Sequence, residues 1–433
     1  MPTSTNTKAG RMKSVFIVSS GNFLEMYDFM VFGYYAKAIG QAFFPSANAT
    51  ASLLLAFMTF GAGFLMRPVG AILLGSYMDR HGRRKGLLLT LALMGVGTLT
   101  IAAMPGYSTI GLAAPALVLV GRLIQGLSAG VEVGGASVYL AEVATPGRKG
   151  FFVAWQSASQ QVAVMFAALL GLLLNSIYPP EVMNDWGWRI PFVIGSLMLP
   201  FLLIIRGALK ETEQFEKSTH RPDLKASFKA ISANFGLVGL GTGMVMMTTV
   251  FFYMITAYTP TYGNSVLGFT AVQAMLVPLL VGLTNFILLP IMGALSDRVG
   301  RRPQLIAFSA LALVTGYAAL SWMVAEPSFA RLICVELWLA FVYAGYNGAM
   351  IVHLTEMMPS SVRTTGFSLA YSLATAIFGG FTPALATWLI DETGNKASPG
   401  IWLTVAAGVS LLCALLAGKG IEKTEPDLQA QAA

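Results

Sequence analysis

GAGFLMRPVGAILLGSYMDRHGRRKG, Gly61 to Gly86, decides how the chain is read. Its first two-thirds is an apolar helix interrupted by one arginine, Arg67. Its last third is a basic turn in which Asp79, Arg80, Arg83, Arg84 and Lys85 surround Gly82. The same turn returns as GALSDRVGRR, where Gly293, Asp297, Arg298, Gly300, Arg301 and Arg302 repeat Gly75, Asp79, Arg80, Gly82, Arg83 and Arg84 at an offset of 218 positions. In a chain of 433 residues that offset is half the length, which marks an internal duplication.

Composition sets the solvent. Charged residues make up 11% of the chain against about 25% in a soluble domain, hydrophobic residues reach 55%, and mean hydropathy is +0.68. These values predict a polytopic membrane protein. Cys334 and Cys413 both lie inside apolar runs, so neither a disulfide framework nor a metal centre is expected. The net charge of +7 does not point to nucleic acid, because the basic residues sit in short loops between apolar runs. The polar, basic start MPTSTNTKAGRMK precedes an apolar run too long for a signal peptide and without a cleavage site, so it reads as a retained anchor.

A spanning helix needs about 20 apolar residues. Twelve such runs are predicted, at 15–39, 52–78, 86–104, 110–138, 151–175, 188–206, 236–260, 272–295, 304–324, 331–354, 366–390 and 400–418. Lys8, Arg11, Lys13, both basic turns, Arg148, Lys149, Arg363, Lys419 and Lys423 fall on one side; the other keeps Lys37, Arg189, Arg331 and Lys396. That imbalance predicts both termini in the cytoplasm and a multi-pass protein of the plasma, or bacterial inner, membrane. One long polar stretch, RGALKETEQFEKSTHRPDLKASFKA, falls mid-chain. It divides a first six-helix bundle, 1–206, from a second, 234–433, with 207–233 as a cytoplasmic linker that is either a solvated tether or a regulatory segment. A second echo, YLAEVATPGRKGF against HLTEMMPSSVRTTGF, joins the fourth and fifth runs of each half.

The basic turn and its copy resemble the loop signature of the major facilitator superfamily. GNFLEMYDFMVFGYYA, GFLMRPVGA, GRLIQGLSAGVEVGGASVYLAEVATPGRKG and WGWRIPF narrow the resemblance to its metabolite:proton symporters. YNGAM, TPTYG and LTEMMPSSVRTTGFSLAYSLATAIFGG are most similar to the citrate and tricarballylate branch. The likeness covers nearly the whole chain. It implies an all-α fold of twelve transmembrane helices in two pseudo-symmetric bundles, with the substrate held between them near mid-membrane.

Intramembrane ionisable groups are costly and tend to line a pathway. Arg67 stands where the repeat has Asn285, so the halves differ there by one positive charge. Its planar fork suits a cargo carboxylate, or it neutralises Asp28 or Glu25. Arg122, Gln125, Ser128 and Glu132 share one face of the fourth run and are expected to look inward, while Gly126, Gly130 and Gly134 form a separate small-residue ridge. Arg122 matches an arginine that the resemblance implies links proton and substrate sites; pairing with an acid of the first run is the alternative. Asn22, Glu25 and Asp28 share a face, and two acids so close are expected to resist joint ionisation, making Asp28, then Glu25 or Glu132, candidate proton carriers. Each is equally a partner for an arginine.

Uncharged lining is expected from Gln156, Ser159 and Gln160; from Ser368, Ser372, Thr375, Gly379 and Thr382; and from Tyr343, Asn347 and His353. The same groups serve as helix-helix glue on the plainer reading. Tyr253, Thr256, Tyr258 and Tyr262 are candidate gate residues, with Pro260 expected to end that helix. Gly75, Asp79, Arg83, Glu142, Asp297, Arg301 and Glu356 are assigned to gating; the resemblance implies that the two aspartates cap helix N-termini, and a solvated anchor is the alternative.

The combined expectation is a proton-coupled importer of citrate or tricarballylate that works by alternating access, is monomeric, uses no cofactor and leaves sodium coupling open. A dicarboxylate or 2-oxoglutarate, shikimate, or betaine or proline is the second choice of cargo. A membrane sensor is disfavoured by short termini, and a membrane enzyme by the lack of a nucleophile with a base.

Overall fold

The computed structural model describes residues 23–81, 83–130, 132–207, 234–359 and 363–421. The twelve predicted runs appear as α1 (Phe23–Tyr34, continuing as Ala36–Phe43), α2 (Ala49–His81), α3 (Arg83–Ala103), α4 (Ala113–Ala129 with Glu132–Val143), α5 (Lys149–Ile177) and α6 (Arg189–Gly207). The second half has α7 (Phe235–Val266), α8 (Ala271–Val299), α9 (Arg301–Ala325), α10 (Phe329–Met357), α11 (Arg363–Thr393) and α12 (Pro399–Ile421). Nine of the described helices are long and apolar enough to cross a membrane, and Leu88–Ala103 and Arg189–Pro200 are shorter apolar helices. The predicted linker lies almost wholly outside the described residues.

Local chemistry sets several boundaries. Thr270 opens α8 with a capping box: its hydroxyl accepts from the Gln273 N–H at 3.2 Å, and the Gln273 side chain accepts from the Thr270 N–H at 3.1 Å. Ser328 caps α10 by accepting from the Arg331 N–H. Gly300, at φ 96°, makes the sharp turn from α8 to α9 that the second basic motif encodes.

Pro260 does not end α7 as expected. The helix runs on to Val266 because two π-helical segments, Met254–Tyr258 and Tyr262–Val266, flank it and absorb the missing N–H in wider turns. Leu65, Leu73, Leu173, Leu197, Ile287, Val314 and Leu412 are exposed along the outside of the helices, the face that hydrocarbon would cover.

Among the described residues, the helix pairs at which the halves meet include the following. α5 and α8 run antiparallel over their whole length: a Cβ at Gly293 would overlap the Gly150 carbonyl at the basic-turn end, and one at Gly171 would press on the Met275 sulfur at the far end. α4 meets α11 where Gly134 abuts Ser368, α1 meets α7 where Gly33 abuts Ala257, and α2 meets α11 through Gly61 with Phe381 and Phe64 with Gly380. Among the described residues, the seam is therefore closed at both ends.

Candidate functional site

α1 brings Glu25, Asp28, Phe29 and Phe32 onto neighbouring turns. The two acids do not compete for one proton as the sequence suggests, since each has its own arginine. Glu25 Oε1 accepts from Arg67 Nη2 at 2.7 Å, and Asp28 Oδ2 accepts from Arg122 Nη1 at 2.8 Å. All four side chains are buried.

The Asp28 pair is bonded within the first half, although Arg122, like Arg67, keeps buried nitrogens (Nε and Nη2) without a partner. Thr98 of α3 donates to Asp28 Oδ1 at 2.8 Å, Arg122 also donates to Gln125 Oε1 at 2.6 Å, and Gln125 donates back to Thr98 at 3.1 Å. The Arg122 guanidinium lies 4.0 Å from the Phe32 ring centroid and 5.1 Å from that of Phe29. Ser128 donates to the Thr90 carbonyl on α3. The polar stripe of α4 thus looks at α1 and α3, not into the seam. The glycine ridge sets this rotation: Gly126 and Gly130 press α4 against the Gly63 and Arg67 carbonyls of α2, which turns the opposite face inward. The side chains of Glu132, Asp79 and Arg83, and the surroundings of Gly75, lie outside those described.

The Arg67 pair is different, because it borders the seam. Its guanidinium stands 4.6 Å from the Phe64 ring centroid, and Phe64 packs 5.1 Å from Tyr253 of α7 and against Gly380 of α11. Arg67 Nε is buried with no protein partner. Its repeat counterpart, Asn285, is fully buried, and neither its Nδ2 nor its Oδ1 has a partner. Asn285 sits on the stripe of α8 between Gly282, which touches the Gln161 backbone, and Gly293. Gln156 Nε2, Gln161 Oε1 and Asn347 Oδ1 are also buried and unpartnered. A buried polar group without a hydrogen bond costs about 1–3 kcal/mol. Arg67, Gln156, Gln161, Asn285 and Asn347 each keep such an atom on helices that meet across the seam.

Gln160, Tyr253, Tyr343 and Ser372 are all buried, and Asn347 donates to the Tyr343 hydroxyl at 3.2 Å. Gln156 also accepts from Ser157. Gln161 escapes the sequence reading because it stands one position beyond the chosen stripe. Glu336 on α10, a buried acid with an unpartnered Oε2, also escapes it, as a single carboxyl in an apolar run. The hydroxyls of Thr375 and Thr382 bond carbonyls one turn earlier on α11, which is helix chemistry.

At the basic-turn end, Asp297 crosses the seam: its carboxylate accepts from the N–H groups of Gly150 at 2.8 Å and Phe151 at 3.0 Å, capping α5. Arg301 holds Asp297 at 2.7 Å and Glu356 at 3.4 Å, and donates to Ser296 at 2.7 Å. Three predicted gating residues thus share one cluster. Glu142 is exposed, and His353 is buried on α10.

The family model "Major Facilitator Superfamily" matches residues 18–379 and 284–433. The chain is 56% identical to the citrate-proton symporter of Salmonella typhi, over 96% of this chain and 95% of that one. It is 35% identical to the alpha-ketoglutarate permease of Escherichia coli strain K12, over 97% of each. Among solved structures, the partially occluded inward-open xylose transporter from E. coli superposes with a TM-score of 0.74 at 17% identity, over 94% of this chain and 97% of that one. At that identity the likeness speaks for the fold alone.

Proposed function

Because the chain belongs to the Major Facilitator Superfamily, we propose that it is a proton-coupled citrate symporter that moves its cargo between two rocking halves. Its similarity to a citrate-proton symporter at 56% identity supports the cargo, and tricarballylate fits the same chemistry. Within the structure, the observation that carries the reading is Arg67: a buried cation at the seam that gives one nitrogen to Glu25 and keeps Nε unpartnered.

A cargo carboxylate arriving at Arg67 competes with Glu25 for the guanidinium. Two carboxylates on one cation in a closed site carry excess negative charge, which a proton on Glu25 discharges. The amides of Gln156, Gln161, Asn285 and Asn347 supply donors and acceptors for the remaining carboxyl and hydroxyl groups. The membrane potential requires the coupling as well. A tricarboxylate carries about three negative charges, each costing about 2.3 kcal/mol to import against 100 mV, inside negative. Co-imported protons remove that cost. The reading includes a monomer in the inner membrane, with the basic end and both termini cytoplasmic.

Counterflow in proteoliposomes tests it, using labelled citrate against unlabelled citrate, tricarballylate, 2-oxoglutarate or betaine. Citrate or tricarballylate should exchange best, with no requirement for sodium. Stronger exchange against betaine would overturn the cargo. Arg67→Ala should lose citrate binding and Arg67→Lys should recover part of it; normal accumulation by Arg67→Ala would remove the anchor.

A further inference from the structure

Glu336 lies on α10 seven residues past Phe329, roughly 10 Å inside the outer end of that helix. It is 2% exposed, and among the described residues it has no ion-pair partner. One oxygen, Oε2, has no hydrogen-bond partner, and the Thr259 hydroxyl of α7 stands beside the carboxyl. Charged groups on the surrounding helices are turned elsewhere. α7 carries no charged residue and presents Tyr262, whose hydroxyl donates to the Lys396 carbonyl. The charges of α5, α8 and α9 (Lys149; Asp297 and Arg298; Arg301 and Arg302) all sit at the basic end. Arg331, on α10 itself, is bonded to Glu326 and to the Trp322 carbonyl. An unpaired carboxylate buried this way costs several kcal/mol, whereas the neutral acid needs only a hydroxyl neighbour.

Its neighbour lies in an irregular stretch of helix. Thr259 and Pro260 lie between the two π-helical segments of α7, the stretch of that helix with the least regular hydrogen bonding. The same stretch forms the outer seam: Ala257 abuts Gly33 of α1, and Tyr258 packs 5.7 Å from Phe57 of α2. On the symport reading, opening the outer seam parts these contacts beside Thr259, which is where water would reach Glu336.

We propose that Glu336 is a second proton carrier of the transport cycle, which takes its proton from the outer side and must hold it for the outer seam to close. Closing withdraws the hydration of the carboxyl, so the closed seam selects the protonated acid. Proton uptake and occlusion are thereby linked without any contact between Glu336 and the cargo. The inference rests on the symport reading above, whose own failure would appear as absent citrate counterflow in the wild-type protein.

The test compares Glu336→Gln with the wild type in proteoliposomes, reading labelled-citrate counterflow, pH-gradient-driven accumulation and the proton-to-citrate ratio from reversal potentials. Glutamine mimics the protonated acid, so exchange should persist while the ratio falls by one proton. Each proton lost lowers the limiting accumulation about tenfold per unit of pH gradient. An unchanged ratio and accumulation would overturn the proposal. A second measurement does not depend on the variant folding. Dicyclohexylcarbodiimide, an apolar reagent that attacks protonated buried carboxyls, should modify Glu336 in the wild-type protein at acidic pH and progressively less at alkaline pH, read by peptide mass spectrometry. Modification that is absent or independent of pH would also overturn it.

Discussion

Asp297→Ala should shift the equilibrium between the two faces of the protein while leaving each half intact. In the wild type the Asp297 carboxylate, 6% exposed, takes two backbone N–H groups from the first turn of α5 across the seam. Removing a capping side chain costs about 0.5–2 kcal/mol, and the carboxylate adds about 0.3–1 kcal/mol through the helix dipole. About 2 kcal/mol is therefore withdrawn from the state closed at the basic end alone, since these contacts break whenever α5 and α8 part there. That is a factor of roughly 30 in the closed-to-open ratio. Arg301 keeps Ser296 and Glu356, so the second half retains its own cluster. Asp297→Asn keeps an acceptor oxygen without the charge and should fall midway. Spin labels on cysteines replacing Pro146 and Thr364, both exposed at that end on opposite halves, report the separation by double electron-electron resonance. The long-distance population should grow in the order wild type, Asn, Ala. Identical distance distributions in all three proteins would refute the latch.

Asp28→Asn should destabilise the protein by about 3–5 kcal/mol, because it strands a fully buried Arg122. Thermal unfolding in detergent reads this, and Asp28→Asn with Arg122→Gln should regain most of the stability. Gly126→Ala should cost about 1–3 kcal/mol or more by forcing α4 off the Gly63 carbonyl, whereas Gly135→Ala, with open space around it, should be neutral in the same assay.

The duplication was legible because helix-terminating turns need particular residues at particular places: Gly293, Asp297, Gly300 and Arg301 serve the turn and the latch at once. The acid-arginine pairing was legible as one alternative, since four buried charges of balanced sign have few other resolutions. Which acid meets which arginine was not, because it depends on how α4 is rotated against α2. The Gly126 ridge determines that rotation, and its consequence for Arg122 appears only when both helices are placed. Glu336 was hidden for another reason. In LICVELWLAF one carboxyl is outweighed by its apolar neighbours, and hydropathy sums residues where burial depends on their partners. The π segments of α7 left no mark either, as only Pro260 signalled irregular backbone there and pointed to a break.

Closure itself constrains the chemistry of the guest. Among the described side chains of the seam and its surroundings, Glu25 is balanced by Arg67 and Asp28 by Arg122, so that these pairs are neutral before cargo enters. A trianion sealed into such a site, with α5 on α8 and α1 on α7 shut above and below, would bring uncompensated charge into low dielectric. That would cost several kcal/mol per ion against the open, hydrated state. The halves can therefore close over citrate only when positive charge enters with it. Glu25, released by the cargo, and Glu336, buried by the closing seam, are two places where that charge can be held as protons. On this reading coupling needs no separate mechanism: a neutral site that must exclude water before it turns over moves its anion only together with compensating positive charge.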